Sequence, residues 1–189
     1  MITSHHGFSL WELMSLLSLL GILSAMSIPH IYPFLMRTER EIVLEQLKTA
    51  IEYAKQEAFL RGVPLTLCAS PDTKTCQARD WSPGYLLFEN RMATSQPQPS
   101  QILYVFSGTH YGKLHFESFG PNKNLNIEAN GMTVNSGAFL YCPYNKDPRE
   151  AEALIINKAS RTYRPTQKSS RGILIKNAGT PEAIPLLCR

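Results

Sequence analysis

Residues 7–36, GFSLWELMSLLSLLGILSAMSIPHIYPFLM, are the stretch that decides the fold. From Leu13 to Met36 this stretch contains no Asp, Glu, Lys or Arg, whereas the rest of the chain is an ordinary mixture of polar and apolar residues. At about 1.5 Å of rise per residue, a helix over this run would cross a hydrocarbon core of about 30 Å. The stretch therefore predicts a membrane-spanning helix close to the N-terminus.

A secretory signal peptide is one alternative, because Ala25-Met26-Ser27 has the small-x-small pattern of a cleavage site. Three observations count against it. No Lys or Arg precedes the apolar run, and Glu12 stands at its start. The apolar character also continues past Ser27 as far as Met36. An ordinary transmembrane helix and a helix that is both membrane anchor and filament core remain as the other interpretations.

The start of the stretch resembles the type IV prepilin motif. The resemblance covers Gly7-Phe8-Ser9-Leu10-Trp11-Glu12-Leu13, with Pro29 further along. It implies that a dedicated prepilin peptidase cuts after Gly7 and methylates the new N-terminal Phe8. The leader carries histidines where Lys or Arg is usual, and Trp11 replaces a smaller aliphatic residue.

A physical argument connects Glu12 with cleavage after Gly7. An ionised carboxylate inside a bilayer costs roughly 2.5 kcal/mol or more, so it needs a partner. Cleavage after Gly7 would create an ammonium group at Phe8, four residues away on the same helical face. We expect this group to neutralise Glu12 within the chain or on an adjoining subunit; the alternative is a carboxylate that reaches the lipid headgroups.

The sequence divides into a leader peptide (residues 1–7), a transmembrane and filament-core helix segment (8–36) and a periplasmic globular head (37–189). After Arg37 the pattern is that of an amphipathic helix, and Gly62-Val63-Pro64 is a stop signal. Its apolar stripe comprises Val43, Leu47, Ile51, Ala54 and Ala58.

Beyond Pro64 the pattern changes to short strands. They are expected at residues 65–68, 85–88, 102–106, 113–116, 138–141, 153–156 and 172–175. Strands that follow one long helix predict an α+β domain, in which a mostly antiparallel sheet packs against the helix.

A second resemblance, to the minor pilin and pseudopilin family that contains GspH and FimT, is carried by the head. It rests on Leu65-Thr66-Leu67-Cys68, Asp80-Trp81-Ser82-Pro83-Gly84-Tyr85, Phe139-Leu140-Tyr141-Cys142 and Ser160-Arg161. With the N-terminus it implies a type IV pilin-like fold for most of the chain. Trp81, Tyr85 and Phe88 are interpreted as core residues.

Four cysteines lie outside the apolar segment, and no Cys-x-x-Cys spacing suggests a metal site. An even number in an exported chain predicts two disulfides, for which the sequence permits three pairings. We favour Cys68 with Cys76, which closes a short loop, and Cys142 with Cys188, which holds the C-terminus.

The net charge of +4 is unevenly distributed, because six cations late in the chain have no acidic residue among them. They are Lys158, Arg161, Arg164, Lys168, Arg171 and Lys176. A local positive field of this kind attracts phosphates or acidic partners; a solvated face is the alternative.

Two functions are compatible with this basic region. A resemblance to FimT implies a minor pilin that binds double-stranded DNA without sequence specificity during natural transformation. The resemblance also implies that a C-terminal Gly-Arg-x-Arg element makes the contact. In this chain Arg161 matches that element, Ser160 replaces the glycine, and Tyr163 holds the second arginine position, with Arg164 one residue later. A GspH-like protein implies instead a minor pseudopilin of a type II secretion system.

No catalytic arrangement is visible, and neither a cofactor nor a metal is expected. The histidines lack an acid or nucleophile at motif spacing, and no Gly-rich phosphate loop is present. The sequence therefore predicts a filament subunit anchored in the bacterial inner membrane, whose partners are other pilins or pseudopilins, the prepilin peptidase and DNA.

Overall fold

The computed structural model describes residues 9–77, 80–120, 123–176, 184–185 and 188, and at positions 26–30, 32, 176, 184 and 185 it describes the backbone alone. The chain divides into two compact units, Met1–Arg37 and Thr38–Arg189. The predicted boundary between the membrane segment and the head lies one residue earlier.

Helix α1, Leu10–Arg61, contributes to both units. Its backbone stays helical through positions 29 and 33, which proline occupies in both cases. It ends at Gly62, where φ is +64°, a left-handed conformation that glycine adopts without steric cost. The N–H of Val63 then donates to the carbonyl of Ala58 at 3.2 Å, so the predicted stop signal is confirmed. Within the part of the chain whose side chains the structure describes, none of the helical residues form a segment long and apolar enough to span a membrane.

The strands of the head form two four-stranded antiparallel sheets and one two-stranded ribbon. Sheet A has the order β3-β2-β1-β5, and sheet B has the order β4-β6-β7-β8. The bounds are β1 Leu65–Ala69, β2 Gly84–Glu89, β3 Ile102–Ser107, β4 Gly112–Ser118, β5 Leu125–Ile127, β6 Gly137–Pro143, β7 Glu152–Ile156, β8 Thr162–Tyr163, β9 Ile175–Lys176 and β10 Ile184–Pro185. A short 3₁₀ helix, Pro99–Gln101, precedes β3. The expected α+β fold class is confirmed.

The main core of the head lies between the apolar stripe of α1 and the inner faces of both sheets. All five residues of the predicted stripe are buried, as are Leu44 and Ala50 beside them. Each large aliphatic side chain removed from water stabilises the fold by roughly 1.5–3 kcal/mol. Trp81 lies within this core, with its ring centroid 4.9 Å from that of Phe139 and 5.7 Å from that of Tyr85. The interpretation of Trp81 and Tyr85 as core residues is confirmed, and Phe88 is buried in a separate cluster on the other face of sheet A.

The outer face of sheet B carries a second, smaller apolar cluster. It consists of Leu140, Cys142, Ala151, Ala153 and Leu174, with Cys188 packed against them. The chain that follows β8 therefore returns to cover part of this face.

The disulfides of the structure join Cys68 to Cys76 and Cys142 to Cys188. These are the two pairings favoured from the sequence. The first joins cysteines eight positions apart, and the second joins β6 to the C-terminal segment over a separation of 46 positions. A cross-link of this kind stabilises a fold by about 2–4 kcal/mol, mainly because it restricts the unfolded chain.

Two features of the sheets differ from the sequence-based expectation. The predicted strand at 172–175 is wrong except for its last residue, because the chain there makes a turn closed by a hydrogen bond from Gly172 N to Ser169 O at 2.8 Å. Conversely, β5 and β8 were not predicted. They contain three and two residues, too few for an alternating pattern, and depend on pairing with β1 and β7.

Candidate functional site

The turn between β7 and β8, residues 157–161, carries two of the predicted DNA-binding cations and is called the basic turn below. Its backbone is closed by hydrogen bonds from Asn157 N to Arg161 O at 3.1 Å and from Ser160 N to Asn157 O at 2.9 Å. The side chain of Asn157 also accepts from Arg161 N at 3.0 Å. An asparagine that bonds to the backbone of its own turn in this way favours a fixed reversal of the chain.

The basic turn is fixed to the neighbouring segment 131–133. The Ser160 hydroxyl donates to the carbonyl of Gly131 at 2.7 Å, and Thr133 donates its hydroxyl to Asn157 O at 2.8 Å and its N–H to Lys158 O at 3.0 Å. Ser160 and Thr133 are buried, so these bonds are partly shielded from water. The turn is therefore held in one conformation.

Ser160 occupies the position where the Gly-Arg-x-Arg element has glycine. Its φ is +55°, in the left-handed region that glycine adopts without steric cost. The buried hydrogen bond of its hydroxyl to Gly131 helps to hold this conformation. The local backbone is thus the one that a glycine would favour, although the residue is a serine.

Lys158 and Arg161 point their charges towards solvent. Both residues are exposed, and in the described part of the chain no carboxylate lies within 4.0 Å of either charged group. Their positive charge is therefore available to a ligand.

Arg164 lies in a different environment, although it is only three residues further along. Its guanidinium is 2.5 Å from a carboxylate oxygen of Glu41, 3.0 Å from Glu45 and 3.6 Å from Glu152. Arg40 also contacts Glu152, at 3.3 Å. These five side chains are called the ion cluster below.

Arg164 is about one-third exposed, and its charge is balanced within the ion cluster. Partial burial by itself lowers the pKa of Arg164, but the hydrogen bond to Glu41 and the charges of Glu41, Glu152 and Glu45 together raise that pKa above its ordinary value. The guanidinium connects the chain after β8 to the helix α1. It does not extend the surface of the basic turn.

Lys168 and Arg171 belong to a third place, the turn that precedes β9. There Ser169 N donates to Ile173 O at 2.7 Å, and both cations are exposed. Neither has an ion pair among the described residues. The side chain of Lys176 lies outside the described residues, so the structure distributes five of the six predicted cations over three places.

The ion cluster was missed in the sequence, although two of its five residues left a signal there. Glu41 and Glu45 are separated by one helical turn and share a face of α1. Their partner is 123 and 119 residues away, so nothing local in the sequence identifies it.

Glu12 lies at the start of α1, in the N-terminal unit, and is bonded to Ser9. Its carboxylate accepts from the backbone N–H of Ser9 at 3.0 Å and from the Ser9 hydroxyl at 3.1 Å, while Glu12 N donates to the Ser9 hydroxyl at 3.2 Å. This reciprocal pattern is a capping box, which satisfies otherwise unpaired N–H groups at a helix start. Gly7 and Phe8 lie outside the described residues.

No group of three or more His, Cys, Asp or Glu side chains within the described ranges is arranged to hold a metal ion.

Comparison with known proteins relates the chain to secretion and pilus proteins. The sequence profile of the family described as type II transport protein GspH matches residues 43–160. No curated protein matches the sequence at a significant level.

Two solved structures are similar to this chain, and the first of them shows the same fold. The type IV minor pilin FimU of Pseudomonas aeruginosa superposes with a TM-score of 0.54 at 23% identity, over 83% of this chain and 100% of that chain. The minor pseudopilin EpsH from the type 2 secretion system of Vibrio cholerae superposes with a TM-score of 0.48 at 13% identity, over 67% of this chain and 95% of that chain.

Proposed function

This chain belongs to the GspH family of type II transport proteins and is a minor pilin or pseudopilin, and we propose that it binds double-stranded DNA during natural transformation through the basic turn. The family consists of structural pilins that assemble with other pilins, and it implies a pilus or pseudopilus component with a periplasmic head. The DNA-binding role is what this proposal adds.

The observation that carries the proposal is the pair of exposed cations on a fixed turn. Lys158 and Arg161 have no carboxylate within 4.0 Å among the described residues, and partly buried hydrogen bonds hold the turn that carries them. A phosphate that binds there does not have to order the turn first, and this lowers the entropic cost of binding.

Because the proposed contact joins cationic side chains to phosphates, the binding constant should depend on salt concentration in a characteristic way. If the ligand covers only the basic turn, two phosphates are neutralised; if it also reaches Lys168 and Arg171, four are neutralised. The logarithm of the binding constant should then fall against the logarithm of salt concentration with a slope of about −1.8 to −3.6. Because phosphate contacts position a protein without reading the bases, affinity should depend little on sequence, as DNA uptake requires.

Fluorescence anisotropy on the full chain in detergent, titrated with labelled duplexes of unrelated sequence over a salt series, tests this proposal. We expect binding at low salt with a slope in that range for every duplex. Absence of binding at low salt, or an affinity that does not change with salt, would contradict it.

For the N-terminus we propose cleavage after Gly7, methylation of Phe8, and anchoring of residues 8–36 in the inner membrane. The support is the sequence motif and the uncharged run from Leu13 to Met36. Co-expression with a prepilin peptidase should give a chain that begins at methylated Phe8, and Gly7→Ala should block the cut without releasing the chain from the membrane. Mass spectrometry that finds an intact Met1, or a cut near Ser27, would contradict this proposal.

For Glu12 we propose pairing with the new ammonium of Phe8, on its own or an adjoining subunit. The capping box with Ser9 is the competing role, and two variants separate the roles. Glu12→Gln keeps a side chain that can complete a capping box but removes the charge, whereas Glu12→Ala removes both. If charge pairing matters for assembly, both variants should insert into the membrane but be depleted from sheared filaments. Normal incorporation of Glu12→Gln would support the capping role alone.

A minor pseudopilin of a type II secretion system is the second candidate, favoured by the description of the matching family. In that case deletion of the gene should impair protein secretion and leave DNA uptake unchanged. The opposite result supports the DNA-binding pilin.

A further inference from the structure

Arg161, the last residue of the basic turn, and Tyr163 of the edge strand β8 lie on the same face of sheet B. Tyr163 pairs with Ile155 and Thr162 with Ile156, and the bond from Asn157 N to Arg161 O continues the same ladder. Side chains alternate between the two faces of a strand. Thr162 therefore lies on one face, with Arg161 and Tyr163 on the other.

The face that carries Arg161 and Tyr163 is turned away from α1. Ile156, the partner of Thr162, belongs to the main core, so Thr162 is on the inner face. Arg164 follows the same alternation and reaches the helix at Glu41. Among the described residues, the outer face thus presents Arg161, which has no ion pair there, and one aromatic ring two positions away.

The ring of Tyr163 is available to a ligand. Its side chain is 50% exposed, and within the described ranges it has no contact with another ring and no hydrogen bond through its hydroxyl. A spacing of two residues along a strand is about 7 Å, short enough for a phosphate at Arg161 and a neighbouring base at Tyr163. Lys158, on the same basic turn, adds a second exposed cation.

Cations combined with an exposed aromatic ring are the elements that bind single-stranded nucleic acid, because unpaired bases stack on the ring while the cations follow the backbone. In an intact duplex the faces of the bases are covered by their neighbours, so the ring has little to stack on. The cations act on both forms of DNA, whereas Tyr163 acts on unpaired bases alone.

We infer that the surface formed by Lys158, Arg161 and Tyr163 binds unpaired stretches of DNA, such as single-stranded tails, more tightly than blunt duplex. The inference rests on the proposed function and adds the form of DNA that this surface selects.

The test compares three probes with the full chain in detergent: a blunt duplex, the same duplex with a single-stranded tail, and a longer blunt duplex with as many phosphates as the tailed one. We expect the tailed duplex to bind about five-fold or more tightly than the longer blunt duplex, since stacking of one base on an aromatic ring is worth at least this factor. Tyr163→Leu should abolish the gain and leave blunt-duplex affinity unchanged, while Tyr163→Phe should keep it. Tyr144→Leu is the matched control, because Tyr144 is also exposed, at 72%, but follows β6 rather than lying on β8.

The outcomes separate this inference from the proposed function. If no probe binds, both are overturned. If blunt duplex binds with the expected salt dependence but the tail gives no gain, or if Tyr163→Leu retains the gain, this inference alone is overturned. An equal loss for blunt and tailed probes in Tyr163→Leu also overturns it, because the ring would then act through the fold. Should the leucine variant not fold, Tyr163→Thr, which suits an edge strand, takes its place.

Discussion

Arg161 of the basic turn and Arg164 of the ion cluster are three positions apart in the sequence, but the two arginines have opposite roles. Arg161 is exposed with no acidic partner among the described residues, whereas Arg164 contacts three carboxylates. The cause is the alternation of a strand, which turns the two side chains towards opposite faces of β8. A run of cations in a sequence is therefore not yet a positive surface, because the fold decides which charges are already balanced.

The largest expected difference between the two regions is in DNA affinity. Lys158→Gln combined with Arg161→Gln removes two cations that have no acidic partner among the described residues, so the salt slope for duplex binding should flatten by about 1.8 units. Arg164→Gln should leave the slope unchanged, because its charge is already balanced by Glu41, Glu45 and Glu152. Both variants are measured with the same duplex over the same salt series.

Transformation frequency gives an independent measure of this difference in cells. It should fall in the double variant at unchanged filament number. Equal flattening of the salt slope by Arg164→Gln would mean that the ion cluster opens when DNA binds, and the contrast between the two regions would be lost.

Substitution of Arg164 should reduce the stability of the fold more than substitution of Arg161, which is the reverse of their expected effects on DNA affinity. Arg164→Met leaves three carboxylates near one another with Arg40 as the remaining arginine of the ion cluster, which we expect to cost about 1–2 kcal/mol, because the group is only partly buried. Arg161→Met should change the free energy of unfolding by less than about 0.5 kcal/mol, as is usual for an exposed site. Thermal unfolding of the full chain, followed by near-UV circular dichroism, compares the two. Similar stability of both variants would show that the ion cluster contributes nothing measurable.

The same contrast shows how far the sequence could predict the molecule. The apolar stripe of α1 and the longer strands were predictable, because helical spacing and runs of β-forming residues are local signals. The pairing of Arg164 was not, because it joins β8 to a helix 123 residues away through the tertiary fold. The conformation of Ser160 could not be predicted for a related reason: φ of +55° is expected of a glycine, and the hydrogen bond that helps to hold it is donated by the Ser160 hydroxyl to the distant carbonyl of Gly131.

A smaller effect is expected when the outer face of β8 is given a second arginine. Tyr163→Arg restores the second arginine of the Gly-Arg-x-Arg element and places it beside Arg161. The slope for blunt duplex should become steeper by about 0.9, since one more phosphate is neutralised. The preference for a single-stranded tail should disappear at the same time, because the aromatic ring is gone. Thr162→Arg is the matched control. It adds the same charge on the inner face and keeps the ring of Tyr163, so the steeper slope and the loss of the tail preference should not occur together.

The smallest effect is expected at Ser160, where two opposing terms nearly cancel. Ser160→Gly relieves a left-handed conformation that costs a non-glycine residue about 1–2 kcal/mol. It also removes the buried hydrogen bond to Gly131, worth about 0.5–1.5 kcal/mol, and makes the unfolded chain more flexible, which costs about 0.4–1 kcal/mol. The net change in the free energy of unfolding should therefore lie within about 1 kcal/mol of zero.

Ser160→Ala loses the hydrogen bond and keeps the strain, so it should be less stable than the wild type by about 1 kcal/mol, and less stable than Ser160→Gly. If the basic turn keeps its conformation, Ser160→Gly should also bind duplex DNA with the wild-type salt slope. A Ser160→Gly variant less stable than Ser160→Ala would show that strain at this position is negligible.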